Sequence, residues 1–198
     1  MLTFQLSYDY RCPFAKNIHL HVVTALRAGA DFEVEFVPWT MGQGYRHEGA
    51  PDVWDDPERD ADHLALVVSI SIRDQQPELF LAAHEALFRA RHERGLALKS
   101  WGDIERALGK LPVNLTLVEA DLRARRPHDV LGANFRRFER YEAFGVPTFV
   151  VDDDATFVRY MKEPSGDAND STALVTSLVI LMSAQRDLNE FKHTKVPY

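Results

Sequence analysis

Cysteine is nearly absent from this sequence: of 198 residues, only Cys12 is one. No disulfide can form within the chain, which excludes a stapled secreted scaffold. Long apolar runs are missing too. The longest, residues 178–182, falls far short of the roughly 20 residues that cross a bilayer. Positive charge is not in surplus: 23 Lys and Arg against 30 Asp and Glu leave a formal charge of −7. That gives no electrostatic footprint for nucleic acid or an anionic membrane. Gly/Ser linkers, low-complexity tracts and internal repeats are lacking, and the first residues show no basic region ahead of an apolar core. The expectation is a cytoplasmic protein without a membrane or nucleic-acid partner. What is present is the balance of an ordinary globular chain, 45% hydrophobic and 27% charged, long enough to bury a core unaided.

Periodicity then divides the chain. Leu2, Phe4 and Leu6 alternate with Thr3, Gln5 and Ser7, a strand pattern over Leu2–Tyr8. Pro13 suits the first position of a helix, and Ile18, Val22, Val23 and Leu26 follow at helical spacing, with Gly29 as a stop. Residues 32–37 alternate again and Pro38 ends them. Residues 39–62 are irregular, and from about 60 to 141 every periodic segment is helical. Ser100 with Asp103 resembles a capping box and Asn114 a second cap. The period returns to two at residues 148–151 and 156–160, read as an antiparallel hairpin around Asp152-Asp153-Asp154. Residues 165–171 read as a loop, and 172–188 as a closing helix. The order is β-α-β, a run of helices, then β-β-α.

Two short motifs carry chemistry. Cys12-Pro13-Phe14-Ala15 lies between the first strand and its helix, where unpaired N–H groups and the positive dipole end stabilise an anion. A cysteine there is expected to titrate below about 8.5 and act as a thiolate nucleophile. The plainer alternative is an inert, partly buried thiol. Gly145-Val146-Pro147-Thr148-Phe149 places an X-Pro bond just before a strand, a candidate cis peptide. A cis bond there would leave Val146 extended, ready to pair with a ligand backbone as an added strand would. A trans proline opening a strand is the plainer alternative.

Residues 9–15, Asp-Tyr-Arg-Cys-Pro-Phe-Ala, resemble the active-site stretch of the DsbA-like branch of the thioredoxin superfamily. Gly145–Phe149 is similar to that branch's cis-proline loop, and residues 187–193 look like the tail of cytosolic actinobacterial members, some of which depend on mycothiol. The resemblance implies an α/β fold: a thioredoxin-like β-α-β / β-β-α core, residues 1–58 and 142–198, with an all-helical insertion at 59–141. It implies catalysis at Cys12, an active-site motif of Pro13, Phe14 and Ala15, and substrate binding by Val146, Pro147 and Thr148. Arg11, by its place beside Cys12, is a candidate to bind the substrate's carboxylate, with a solvated surface arginine as the plainer alternative. The family carries Cys-x-x-Cys, whereas Ala15 fills the second position here. A dithiol cycle within one chain is therefore impossible.

What the resemblance leaves is monothiol chemistry: a thiol-dependent oxidoreductase working through Cys12 with mycothiol or glutathione as cosubstrate and no tightly bound cofactor. A sulfenic-acid cycle, a thiol-dependent transferase or isomerase like the kappa-class glutathione transferases, and a redox-inactive binding module stay open. The partner is a small-molecule thiol or electrophile, and a homodimer is left open. Lys16 and Arg11 are candidate cations for the thiolate. The eight histidines show no ligand spacing such as His-Glu-x-x-His, so no metal site is expected. His19 reads as a helix-face residue.

Overall fold

A computed structural model describes residues 1–195. The chain divides into two compact units. The first holds Met1–Tyr8, Phe14–Val37 and the chain from Gly145 onward; the second holds Asp9–Pro13 and Pro38–Phe144.

The first unit is built on a mixed four-stranded sheet in the order β2-β1-β3-β4. β1 (Leu2–Tyr8) begins with the alternation its sequence shows, but Leu6, Ser7 and Tyr8 are all buried. β1 is a central strand, between β2 (Phe32–Pro38) and β3 (Thr148–Val151), and the closing helix Ala168–Ala184 packs against it; helices on a sheet's faces remove the solvent side. β1 pairs antiparallel with β3, Gln5 opposite Val150 and Leu6 opposite Phe149. Helix α1 (Pro13–Arg27) connects β1 to β2, and Gly29 at φ +85° supplies the left-handed turn that ends it. Phe4 meets Phe149 at 5.4 Å between ring centroids. Leu6 and Phe149 are fully buried, each worth roughly 1.5–3 kcal/mol of apolar transfer.

Two boundaries differ from the sequence reading. β4 is Asp154–Phe157, not 156–160, and pairs Val151 directly with Asp154. The turn takes two residues rather than three. Asp152 and Asp153 both adopt positive φ, 50° and 61°, the type I′ geometry whose twist matches a hairpin. The closing helix α7 is Ala168–Ala184 rather than 172–188. Asp167 caps it by accepting from the Asn169 N–H, so the polar stretch assigned to a loop forms its first turn.

The second unit is helical: α2 (Asp60–Gln75), α3 (Pro77–His92), α4 (Trp101–Leu108), α5 (Leu115–Arg123) and α6 (Arg126–Glu139), preceded by short 3-10 turns at Met41–Tyr45 and Pro57–Arg59. Ser100 accepts from the Asp103 N–H and Asn114 from the Leu117 N–H, as the caps predict. At the α2–α3 corner, the Gln76 side chain accepts from the Asn114 N–H at 2.8 Å and donates to its carbonyl at 3.4 Å. One amide thereby ties the corner to the start of α5.

Candidate active site

The Cys12 turn is held by its own neighbours. The Cys12 N–H donates to the Asp9 carbonyl at 3.0 Å. The Asp9 carboxylate, buried, accepts from the Arg11 N–H at 2.9 Å and from its guanidinium at 3.0, 3.1 and 2.5 Å. Asp9's hydrogen bonds hold the Arg11 guanidinium still more firmly in its charged form. Arg11 also donates to Thr40 Oγ1 at 2.9 Å, which accepts from the Gly42 N–H as well. Tyr10 fixes the other side. Its ring lies 4.7 Å from Phe88, its hydroxyl is 2.8 Å from His84 Nδ1, and its carbonyl accepts from His92 Nε2 at 2.8 Å. The turn is thus pinned by contacts with Asp9, Arg11, His84 and His92.

Cys12 is half-buried and stands one residue before α1. No acidic residue lies in the first turn of α1, so nothing there opposes a thiolate at its positive end. Both cations that the sequence offers to that thiolate are engaged by carboxylates: Arg11 by Asp9 at 2.5 Å and Lys16 by Glu163 at 3.3 Å. Of the motif's remaining residues, Pro13 is exposed, Phe14 half-buried and Ala15 buried. Phe14 carries the Arg159 guanidinium 4.9 Å from its ring centroid.

In the first unit, the Val146–Pro147 bond is cis. Val146, Pro147 and Thr148 are all buried. Thr148 is an anchor: its N–H donates to Ser7 Oγ and its hydroxyl to the Gly145 carbonyl, both at 2.8 Å. His19 lies wholly inside, its Nε2–H donating to the Ser7 carbonyl at 3.1 Å.

A strand-to-helix cysteine turn, a proline loop opening β3 and a helical run between them are matched by a family model. Residues 3–162 fit the DSBA-like thioredoxin domain. The chain belongs to the DSBA-like thioredoxin family. Solved structures repeat the fold. The cytosolic disulfide reductase DsbM from Pseudomonas aeruginosa with GSH has a TM-score of 0.61 at 18% identity, covering 90% of this chain and 99% of that one. MdbA, a thiol-disulfide oxidoreductase from Actinomyces oris, gives 0.61 at 15%, covering 89% and 79%. The oxidoreductase NmDsbA1 from N. meningitidis gives 0.55 at 13%, covering 91% and 84%. At these identities the likeness is one of fold. No curated protein matches the sequence. Among the described residues, no helix is long and apolar enough to cross a membrane.

Sequence reasoning singled out Cys12 in this DSBA-like chain but not the residues that hold its turn. Asp9 was legible: an Asp accepting from the N–H two residues on is an Asx turn, a local pattern. Thr40, His84 and His92 were not, since only the fold brings α3 and the segment after β2 to the turn. Lining a small cavity of about 30 Å³ beside Asp9 and Arg11 are Asp62, His63, Leu98 and Lys99. Hydrogen bonds from Lys99 and Arg59, at 2.8 and 2.9 Å, hold the Asp62 carboxyl below its ordinary range.

Proposed function

We propose that this DSBA-like protein is a monothiol oxidoreductase in which Cys12 exchanges with a low-molecular-weight thiol, mycothiol or glutathione, in a reducing cytoplasm. The observation that carries the reading is the placement of the chain's one cysteine directly ahead of α1, in a pinned turn, with Ala15 where a resolving cysteine would stand. The Cys12 thiolate attacks one sulfur of a disulfide. A Cys12–sulfur bond forms as the substrate S–S bond breaks, and the other half leaves as a thiolate that takes a proton from solvent. A small thiol, deprotonated, then attacks the bound half's sulfur in the mixed disulfide. Cys12 departs as thiolate, and a new disulfide leaves. By the family resemblance, residues 146–148 receive the substrate, with Thr148 fixing the segment rather than offering its own polar groups.

The test is the pH dependence of Cys12 alkylation, together with exchange against glutathione and mycothiol disulfides. A midpoint below about 8.5, and exchange abolished in Cys12→Ala, support the reading. A midpoint at or above that value overturns the nucleophile. Turnover of an electrophile that survives Cys12→Ser moves the protein to the transferase or isomerase class, in which the residue polarises a bound thiol.

A further inference from the structure

We propose that Asp60, His63 and His128 form a site for one divalent first-row transition-metal ion, of which Zn²⁺ is the reference case. The three come from two helix beginnings. Asp60 opens α2 and His63 follows at i+3, on the same face, while His128 lies in the first turn of α6. The α2 backbone leaves helical geometry at His63, with φ −125° and ψ 16°. The imidazole rings meet edge to face, 5.6 Å between centroids.

The donor spacing is that of a coordination sphere. His63 Nε2 lies 3.7 Å from Asp60 Oδ1 and His128 Nε2 lies 3.3 Å from it, and one donor atom from each residue lies within 4.8 Å of the others. Ligands around a tetrahedral ion with Zn–N and Zn–O bonds of about 2.0–2.1 Å sit roughly 3.3 Å apart. The two imidazoles are buried, 1% and 4% exposed, while Asp60 is half-buried. His63 Nε2 and His128 Nδ1 are buried without a hydrogen-bond partner, and 3.7 Å is too long for one to Asp60. A purely structural role explains the His128–Asp60 pairing but leaves His63 Nε2 desolvated with nothing against it.

The surroundings fit a ligand carboxylate. Arg125 holds Asp60 through both of its terminal nitrogens, at 2.7 and 3.1 Å, and is itself fixed by the Trp54 carbonyl at 2.6 Å. Such outer partners orient metal-binding carboxylates. The guanidinium also offsets the carboxylate's charge. Two imidazole nitrogens and one carboxylate oxygen favour Zn²⁺, Co²⁺, Ni²⁺ or Fe²⁺ over Mg²⁺ and Ca²⁺. Three protein ligands leave a position open. The signal was invisible as a spacing because the fold, not the local sequence, brings His128 to the Asp60–His63 pair. No part of it depends on Cys12.

The test is a Co²⁺ titration of the chelator-stripped full chain, followed by its visible ligand-field bands, with Zn²⁺ as competitor. The expected result is saturation at one equivalent, the same bands in Cys12→Ser, and displacement by Zn²⁺. His63→Gln and His128→Gln should each weaken binding at least tenfold. Absence of saturable binding, loss of the bands in Cys12→Ser, or affinity unchanged in both glutamine variants overturns the site. If those variants do not fold, imidazole nitrogen–proton correlation spectra of the wild type decide it. Two buried histidines shifting together at one equivalent of Zn²⁺ support the site. Shifts confined to exposed His47 and His193 overturn it.

Discussion

In the sheet unit, His19 Nε2 meets the Ser7 carbonyl, and His21 spans the Ser171 hydroxyl at 3.0 Å and the Lys162 carbonyl at 3.2 Å. In the helical unit, His63 Nε2 and His128 Nδ1 have no such partner, while His128 Nε2 lies 3.3 Å from Asp60, which pairs with Arg125. Burial pushes His19 down to about 3 and His63 down to about 4, so both rings are neutral at pH 7. The difference is in what neutral nitrogens find. A carbonyl fixes the tautomer and completes a structural histidine, since a carbonyl can only accept. A buried lone pair or N–H without a partner is left unsatisfied and calls for an explanation.

The sharpest test of the structural half is pH. An unfolded histidine takes its proton near 6.5, whereas folded His19 refuses it until about 3. Between those values the unfolded chain binds more protons, so stability is full above about 6.5 and falls as pH drops toward about 3. The whole window is worth on the order of 5 kcal/mol at about 1.4 kcal/mol per unit. Between pH 7 and about 4.5, the wild type should lose roughly 2–3 kcal/mol more than His19→Gln, read by denaturant unfolding at each pH. Equal losses in the two proteins would mean that His19 takes its proton inside the fold.

A second test probes the helical half, where close packing rather than hydrogen bonding sets the tolerance. Gly132 lies inside α6, and a Cβ there would fall 2.7 Å from Trp54 Nε1 and 2.8 Å from its Cε2. Trp54 packs on Phe135 at 5.4 Å, Phe135 stacks on Trp39 at 5.1 Å, and Arg136 lies over Trp54 at 5.6 Å. The indole cannot move without disturbing that stack. Gly→Ala in a helix interior ordinarily gains up to about 1 kcal/mol, while overpacking costs about 1–3 kcal/mol. Gly132→Ala should therefore destabilise by up to about 2 kcal/mol and shift tryptophan emission. A gain in stability would show that the stack yields.

The two halves also differ in how much was legible beforehand. β1, α1 and the Ser100 and Asn114 caps follow from neighbours within four residues, so local rules found them. The start of α7 was hidden because Asp167, Asn169 and Asp170 favour turns in isolation. Packing overrides them: Ser171 is fully buried and meets His21. Cys12 could be singled out because its place before Pro13 is covalent. Tyr10's hold on His84 and His92, and the meeting of His63 with His128, are products of tertiary structure, and no spacing along the chain encodes them.

The smallest expected effect lies in the hairpin, where a local rule competes with itself. Asp152 and Asp153 both occupy the left-handed region. Asp tolerates it better than most residues, but glycine does so without a Cβ penalty. Asp152 accepts from Ser183 Oγ at 2.8 Å and, through its carbonyl, from Arg186 at 3.3 Å. Glycine at position 153 would make an Asp-Gly pair, the favoured type I′ sequence. The relief of backbone strain is partly cancelled by the freer unfolded chain that glycine brings. Asp153→Gly should thus stabilise by less than about 1 kcal/mol, with the Val151–Asp154 pairing intact. Asp153→Val, which puts a β-branched side chain at φ 61°, should destabilise by more than about 1 kcal/mol. Paired thermal unfolding of the two variants checks both signs. If valine is tolerated as well as glycine, the turn is not type I′, and β4 begins at Thr156, as the bare sequence pattern suggests.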